Sequence, residues 1–271
     1  MVKKIFGLLC ISLLFSSTSL AADSWFNWSP PDTTPEVEME EEILSPEELS
    51  LKDILEKTQA NQKKIKDMYA ETTTTITSSM AMPGSTQKGP QTMVQKGKMW
   101  TKGEDKSKVE MISPMRQITI TNGDQMAIIN PETGQKLVQD LAKLREKQGG
   151  MAQSSKQMDL EKAMEYFDLS VEQTEKGGYI ITGVPREDNK FLSRMEFHID
   201  SVRWVPVKIL MYGAEGKLMS RSELEYKEIS GIWMPVRNVS DVNSPMGKMS
   251  VEMIFENIKV NEGIEDSEFG I

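Results

Sequence analysis

From Arg194 to Glu256 the sequence alternates apolar and polar residues through one segment after another, with turn residues between the segments. Phe191, Met195, Phe197 and Ile199 share one parity, and Arg194, Glu196, His198 and Asp200 take the other. Val205, Val207, Ile209 and Met211 follow; then Leu218, Leu224 and Tyr226 oppose Arg221, Glu223, Glu225 and Lys227. Ile232, Met234 and Val236 continue the pattern, and Met249, Val251, Met253 and Phe255 oppose Ser250, Glu252 and Glu256. Successive side chains of a strand point to opposite faces, so each segment presents one dry face and one wet face. Gly177-Gly178, Gly213 to Gly216, Ser230-Gly231 and Met246-Gly247 supply the turns. The pattern predicts an antiparallel meander.

The first half of the chain carries the same period more faintly. Thr72 to Thr77 is β-branched, Met93 and Met99 share a parity, Val109 and Met111 follow, and Ile118 and Ile120 run into Asn122-Gly123, a hairpin signal. Met126 to Ile129, with Ile128, forms the return strand, and Pro131-Glu132-Thr133-Gly134 turns again. Three segments read as helices instead. Ser45-Pro46-Glu47-Glu48 is a capping box ahead of Leu51, Ile54, Leu55, Ile65 and Met68. Leu137, Val138, Leu141 and Leu144 have helical spacing before Gly149-Gly150, and Asp159 caps a second short helix with Leu160, Ala163, Met164 and Phe167. The expected order is one helix, about six strands, two short helices, and about six or seven more strands. A sheet of that size curls on itself, and its apolar face needs a filling, either helices or a ligand.

The two ends are set apart by composition. Residues 1–21 read as a secretory signal: Lys3 and Lys4, an apolar run from Ile5 to Phe15, and Ser19-Leu20-Ala21 at the cleavage site. The one cysteine, Cys10, lies inside that apolar run and reads as part of it rather than as an acylation site. Residues 22–45 hold Pro30, Pro31 and Pro35, then Glu36, Glu38, Glu40, Glu41 and Glu42, and read as a disordered acidic tether. The folded domain is expected over residues 46–271.

Chemistry is sparse. A net charge of −9 with one Cys and one His in 271 residues argues against nucleic-acid binding, structural zinc, thiol catalysis and a Ser-His-Asp triad. His198 stands on a polar parity without a partner cluster. Glu262, Glu265, Asp266 and Glu268 lack the spacing of a calcium loop. Asn238-Val239-Ser240 matches the glycosylation pattern but falls within a predicted strand. No catalytic residue, metal site or cofactor is assigned. The notable feature is the filler: 20 Met against 8 Phe. Methionine is flexible and polarizable, and suits a surface that adapts to apolar ligands of variable shape.

At this level the chain resembles the periplasmic outer-membrane lipoprotein carrier family, LolA, whose fold is shared by LolB and the N-terminal domain of RseB. The resemblance rests on Gly97-Lys98-Met99-Trp100, Lys108-Val109-Glu110-Met111, Ile120-Thr121-Asn122-Gly123-Asp124-Gln125-Met126, Asn130-Pro131-Glu132-Thr133-Gly134-Gln135 and Ile254-Phe255-Glu256-Asn257-Ile258-Lys259-Val260-Asn261, and spans about residues 50–271. It implies a mainly β fold: a curved antiparallel sheet forming an incomplete β-barrel, with an N-terminal helix and two mid-chain lid helices over an apolar cavity for acyl chains. Family carriers commonly hold an Arg on an early strand that sets the lid. The matching position here is Lys108, which lacks the planar fork of Arg.

The resulting expectation is a periplasmic, non-enzymatic carrier or binder of lipid-modified cargo. Its ligands would be lipoprotein acyl chains or lipid, its partners an inner-membrane release complex and an outer-membrane acceptor. The cavity group is Met99, Met111, Met126, Ile128, Met195, Phe197, Ile209, Met211, Met234, Met253 and Phe255; the lid or release group is Lys108, Leu141, Leu144 and Met164. The alternative is an RseB-like envelope sensor or protein-interaction scaffold without lipid. An enzyme ranks last, since the apolar parities hold almost no acids.

Overall fold

The computed structural model describes residues 49–79, 89–143, 166–187, 192–244 and 247–271. Helix α1 spans Leu51–Lys63. Six strands follow: β1 Asp67–Ser78, β2 Gln91–Lys102, β3 Lys106–Ser113, β4 Gln117–Asn122, β5 Gln125–Ile129 and β6 Lys136–Asp140. Seven more complete the sheet: β7 Phe167–Gln173, β8 Tyr179–Pro185, β9 Arg194–Asp200, β10 Val205–Tyr212, β11 Leu218–Ile229, β12 Ile232–Ser244 and β13 Gly247–Val260. A 3-10 turn, Asp266–Phe269, ends the chain.

All thirteen strands form one antiparallel sheet in the order β6-β5-β4-β3-β2-β1-β13-β12-β11-β10-β9-β8-β7. Two meanders, β1 to β6 and β7 to β13, are therefore joined along one seam, where the first strand pairs with the last. Among the described residues the sheet is not closed: β6 and β7 are its two edges. The expected mainly β fold with an open, barrel-like sheet is what the chain adopts.

Helix α1 starts later than the sequence suggests. Ser50 is the N-cap: the Asp53 N–H donates to Ser50 Oγ at 3.3 Å, and the Ser50 N–H donates to Asp53 Oδ2 at 3.1 Å. This is a reciprocal capping box one turn inside the Ser45 box, which lies outside the described residues. The helix also ends earlier. Ile65 follows its cap and Met68 belongs to β1. Both are apolar at helical spacing, yet Met68 is buried from a strand, against Met99, Met234 and Val260.

The mid-chain helices need correction where they are described. Leu137 and Val138 belong to β6, paired with Ile128 and Ala127 of β5. The Pro131–Gly134 turn brings the chain back alongside β5, whose backbone groups need partners, and that tertiary demand outweighs helical spacing in so short an apolar run. A helical turn remains only at 141–143, and Leu144 lies outside the described residues. Phe167, at helical spacing with Leu160, Ala163 and Met164, opens β7 instead and is buried. There Gly183 leaves room for the side chains of Phe167 and Leu169 across the β7–β8 pair. The rest of that helix, with Met164, is outside the described residues, as are the signal and the tether.

Two apolar clusters fill the fold. In the first, Ile54 and Leu55 of α1 pack on Tyr179, Ile181, Phe197, Ile199 and Ile209. In the second, Met68, Met99, Ile232, Met234 and Val260 pack together, with Ile65 and Phe255 against them.

Candidate functional site

Between these clusters lies a cavity. Thr58, Asn61 and Gln62 of α1 form one wall, and β1, β2 and β10 to β13 form the rest. Six adjacent strands laid flat would span roughly 24 Å, so a single cavity touching all of them requires a curved sheet. Ile209 and Leu224 join the cavity to the first cluster; Ile65 and Phe255 join it to the second.

The register turns the cavity wall into a grid. One cross-strand row runs Leu224, Asn238, Met253, Thr74, Gln95. The next runs Ile209, Ser222, Ser240, Val251, Ile76. Read along the strands, β10 and β13 are apolar, while β11 and the facing part of β12 present Ser220, Ser222, Asn238 and Ser240. No Asp, Glu, Lys, Arg or His lines the cavity among the described residues. Tyr226, the one titratable group in the lining, stays a neutral phenol, because burial raises its pKa far above the ordinary value. The charges stand on the opposite parity, where Arg237 pairs with Glu225 and, at 2.7 Å, with Glu252.

The free volume is about 110 Å³, well below the roughly 300–1,000 Å³ of small-molecule pockets.

Two polar residues of α1 are buried against the sheet in contrasting ways. Asn61 replaces a strand partner: its Nδ2 donates to the Trp233 carbonyl at 2.8 Å, and its Oδ1 accepts from the Trp233 N–H at 2.9 Å. The β12–β13 register begins at Arg237, so this amide satisfies backbone groups on a stretch of β12 outside that ladder. Gln59 is the opposite case. It is 0% exposed, and neither Nε2 nor Oε1 has a hydrogen-bond partner among the described residues.

Of the eleven candidate cavity residues, Ile209, Met211, Met253 and Phe255 line this cavity. Met99 and Met234 are packed in the second cluster, and Met195 and Phe197 belong to the first. Met111 of β3 and Met126 and Ile128 of β5 are half-buried on the other wing of the sheet. Leu141 is half-buried beyond edge strand β6. Lys108 is not at the cavity: Nζ donates to Glu268 Oε2 at 2.6 Å and lies 4.7 Å from the Trp100 ring centre. It thus fastens the C-terminal segment, together with Lys102 and Lys106, which both pair with Asp266 and hold its carboxyl below the usual range. Met249 and Val251 were legible only as a dry parity, and the cavity takes both.

His198 Nε2 lies 3.6 Å from Glu196 Oε2. Burial, seconded by Lys208, pushes its pKa down, so it is neutral at pH 7. Asn238 of the glycosylation-like triplet is 7% exposed and faces the cavity, so it is no surface acceptor. Among the described residues no group of three His, Cys, Asp or Glu is placed to hold a metal ion, and no helix is long and apolar enough to cross a membrane.

A family model carrying the description "Uncharacterized protein" matches residues 103–270, more than half of the chain. The chain belongs to that family. No curated protein matches its sequence significantly. Among solved structures, a DUF1329 family protein from Desulfovibrio piger is similar with a TM-score of 0.54 and 15% identity, over 81% of this chain and 97% of the other. A LolA superfamily protein from Nitrosomonas europaea gives 0.51 and 14%, over 82% and 98%. A domain from Vibrio parahaemolyticus described as outer membrane lipoprotein-sorting gives 0.51 and 16%, over 79% and 95%. The fold is LolA-like.

Proposed function

We infer that the chain is a periplasmic carrier or binder of lipid-modified cargo acting in outer-membrane lipoprotein sorting. Residues 1–21 serve as the export signal, 22–45 as an acidic tether and 46–271 as the binding domain. The observation that carries this reading is the uncharged cavity between α1 and six strands, its apolar wall built from Met211, Met249, Val251, Met253 and Phe255. The LolA-like fold and the lipoprotein-sorting description of the Vibrio domain support it.

The physics is that of reversible apolar burial. Each buried methylene contributes about 0.8 kcal/mol, so an acyl segment of about ten methylenes gains roughly 8 kcal/mol before the costs of ordering it are subtracted. Release requires the guest to be exchanged for the protein's own side chains. The small free volume supports that picture: α1 and the methionines close the space when no guest fills it. Delivery to an acceptor and loading from an inner-membrane complex belong to the same proposal. The cavity lining offers no acid–base pair, which supports binding rather than catalysis.

The test is gentle-ionisation mass spectrometry of protein purified from periplasm without detergent. A mass excess that vanishes on denaturation and proves to be lipid or acylated peptide supports the carrier. A mass that stays bare, even after incubation with lipids and lipopeptides, overturns it and brings forward a protein-interaction scaffold.

A further inference from the structure

The cavity wall is not uniformly apolar, and its polar part is built in a particular way. Ser220, Ser222, Asn238 and Ser240 form a column on β11 and β12, flanked by Ile209 and Met211 of β10 and by Val251 and Met253 of β13. Within it, Ser222 and Ser240 share a hydrogen bond at 2.7 Å, and Ser240 Oγ donates to Asn238 Oδ1 at 3.4 Å. Those contacts leave donors unspent. Asn238 is more than nine-tenths buried, and its Nδ2 donates to no described residue; nor does the hydroxyl of Ser220, or that of Thr74 across Met253. These donors are not sealed in the core but open on the cavity, so a guest seated there meets them.

The chemistry of that partner is constrained from two sides. It must accept hydrogen bonds from Asn238 Nδ2, which can only donate, while the hydroxyls of Ser220 and Thr74 adapt to either role. It must also be uncharged, because no cation lines the cavity to compensate a carboxylate or phosphate taken out of water. The flanking strands demand apolar chains on either side of the accepting group. Resting on the lipid-binding reading above, we propose that the column reads ester carbonyls, and that the cavity takes the uncharged diacylglyceryl portion of its guest while any charged head stays outside. Asn238 is the main donor, and Ser222–Ser240 fixes its orientation.

The test uses the full exported chain and displacement of the neutral dye N-phenyl-1-naphthylamine. Three competitors of equal chain length separate the possibilities: 1,2-dioctanoylglycerol, its diether analogue 1,2-dioctylglycerol, and octanoate at pH 8. The diester is expected to displace dye at roughly tenfold lower concentration than the diether, as two ordinary hydrogen bonds would give, and octanoate to fail. In Asn238→Leu combined with Ser222→Ala and Ser240→Ala, the two glycerides become equivalent competitors, and the variant's circular dichroism spectrum and urea midpoint report that it is folded. Equal displacement by diester and diether in the unaltered protein overturns the proposal, as does effective displacement by octanoate. A chain that binds neither dye nor glyceride overturns the lipid-binding reading itself. That outcome is distinct from dye binding without ester preference, which defeats only the subsite.

Discussion

Gln59 offers a direct measure of how firmly α1 is held. Its side chain is fully buried, and both polar atoms lack partners among the described residues. An unsatisfied buried amide costs about 1–3 kcal/mol. Methionine has nearly the same length and volume, and a volume-conserving swap usually costs less than about 1.5 kcal/mol. Gln59→Met is therefore expected to stabilise the protein by about 1 kcal/mol net. The assay is urea denaturation followed by circular dichroism: the midpoint rises and the slope is unchanged, because the surface exposed on unfolding is the same. A functional readout accompanies it. If α1 is the lid, holding it more firmly slows dye release in stopped-flow mixing, the usual exchange of stability against a moving part. A Gln59→Met variant destabilised by more than about 1 kcal/mol would refute the reasoning, since it would mean the amide contributes a hydrogen bond.

Three further outcomes are expected. Phe269 is 0% exposed at the C-terminus, and Phe269→Ala is expected to cost about 3–5 kcal/mol by denaturant titration; a cost under about 1 kcal/mol would show that the last turn is not part of the core. A Cβ added at Gly97 would stand 2.7 Å from the Glu110 carbonyl oxygen, across a pairing with a register shift, so Gly97→Ala is expected to lose about 1–3 kcal/mol; a neutral result would mean that β2 and β3 separate at little cost. His198 titrates below its unfolded value of 6.5 because burial and Lys208 disfavour its charged form, against the opposing pull of Glu196 and Glu172. The unfolded chain takes the proton first, so stability falls as pH drops through 6.5 and levels off below the folded pKa. His198→Gln is expected to flatten the stability profile in that window, and an unchanged slope would refute the assignment.

Parity was the legible part of the fold. The alternation from Arg194 to Glu256 located β9 to β13 and most of their dry faces, because one-sided burial imposes period two on a strand; Leu218 is nonetheless exposed, and at the β11–β12 register shift the cavity takes Trp233 and Pro235 from the other parity. Parity says nothing about where along a curved sheet a residue lies. Met99 and Met253 both stand on apolar parities, yet one is core and the other cavity wall. The short segments failed for a related reason. Leu137 and Val138 fit a helix as well as a strand, and only the neighbouring strand β5 decides between them. The polar column does leave a signal in the sequence: Ser220 and Ser222 share the parity of Leu224 and Tyr226, and hydroxyls on the dry side of a strand mark a surface that is not plain core. Asn61 and Gln59 had no comparable signal, since polar residues on a short helix ordinarily face water.

The seam between β1 and β13 orders events in time. β1 ends at Ser78 and β13 begins at Gly247, so joining them closes nearly the whole domain into one loop, the kind of distant pairing that slows folding. Thr74 and Met253 meet across that seam and both line the cavity. Neither meander alone contains the complete wall. The wall is completed only when β13 docks on β1, so a chain whose first and last strands have not yet paired holds no complete cavity.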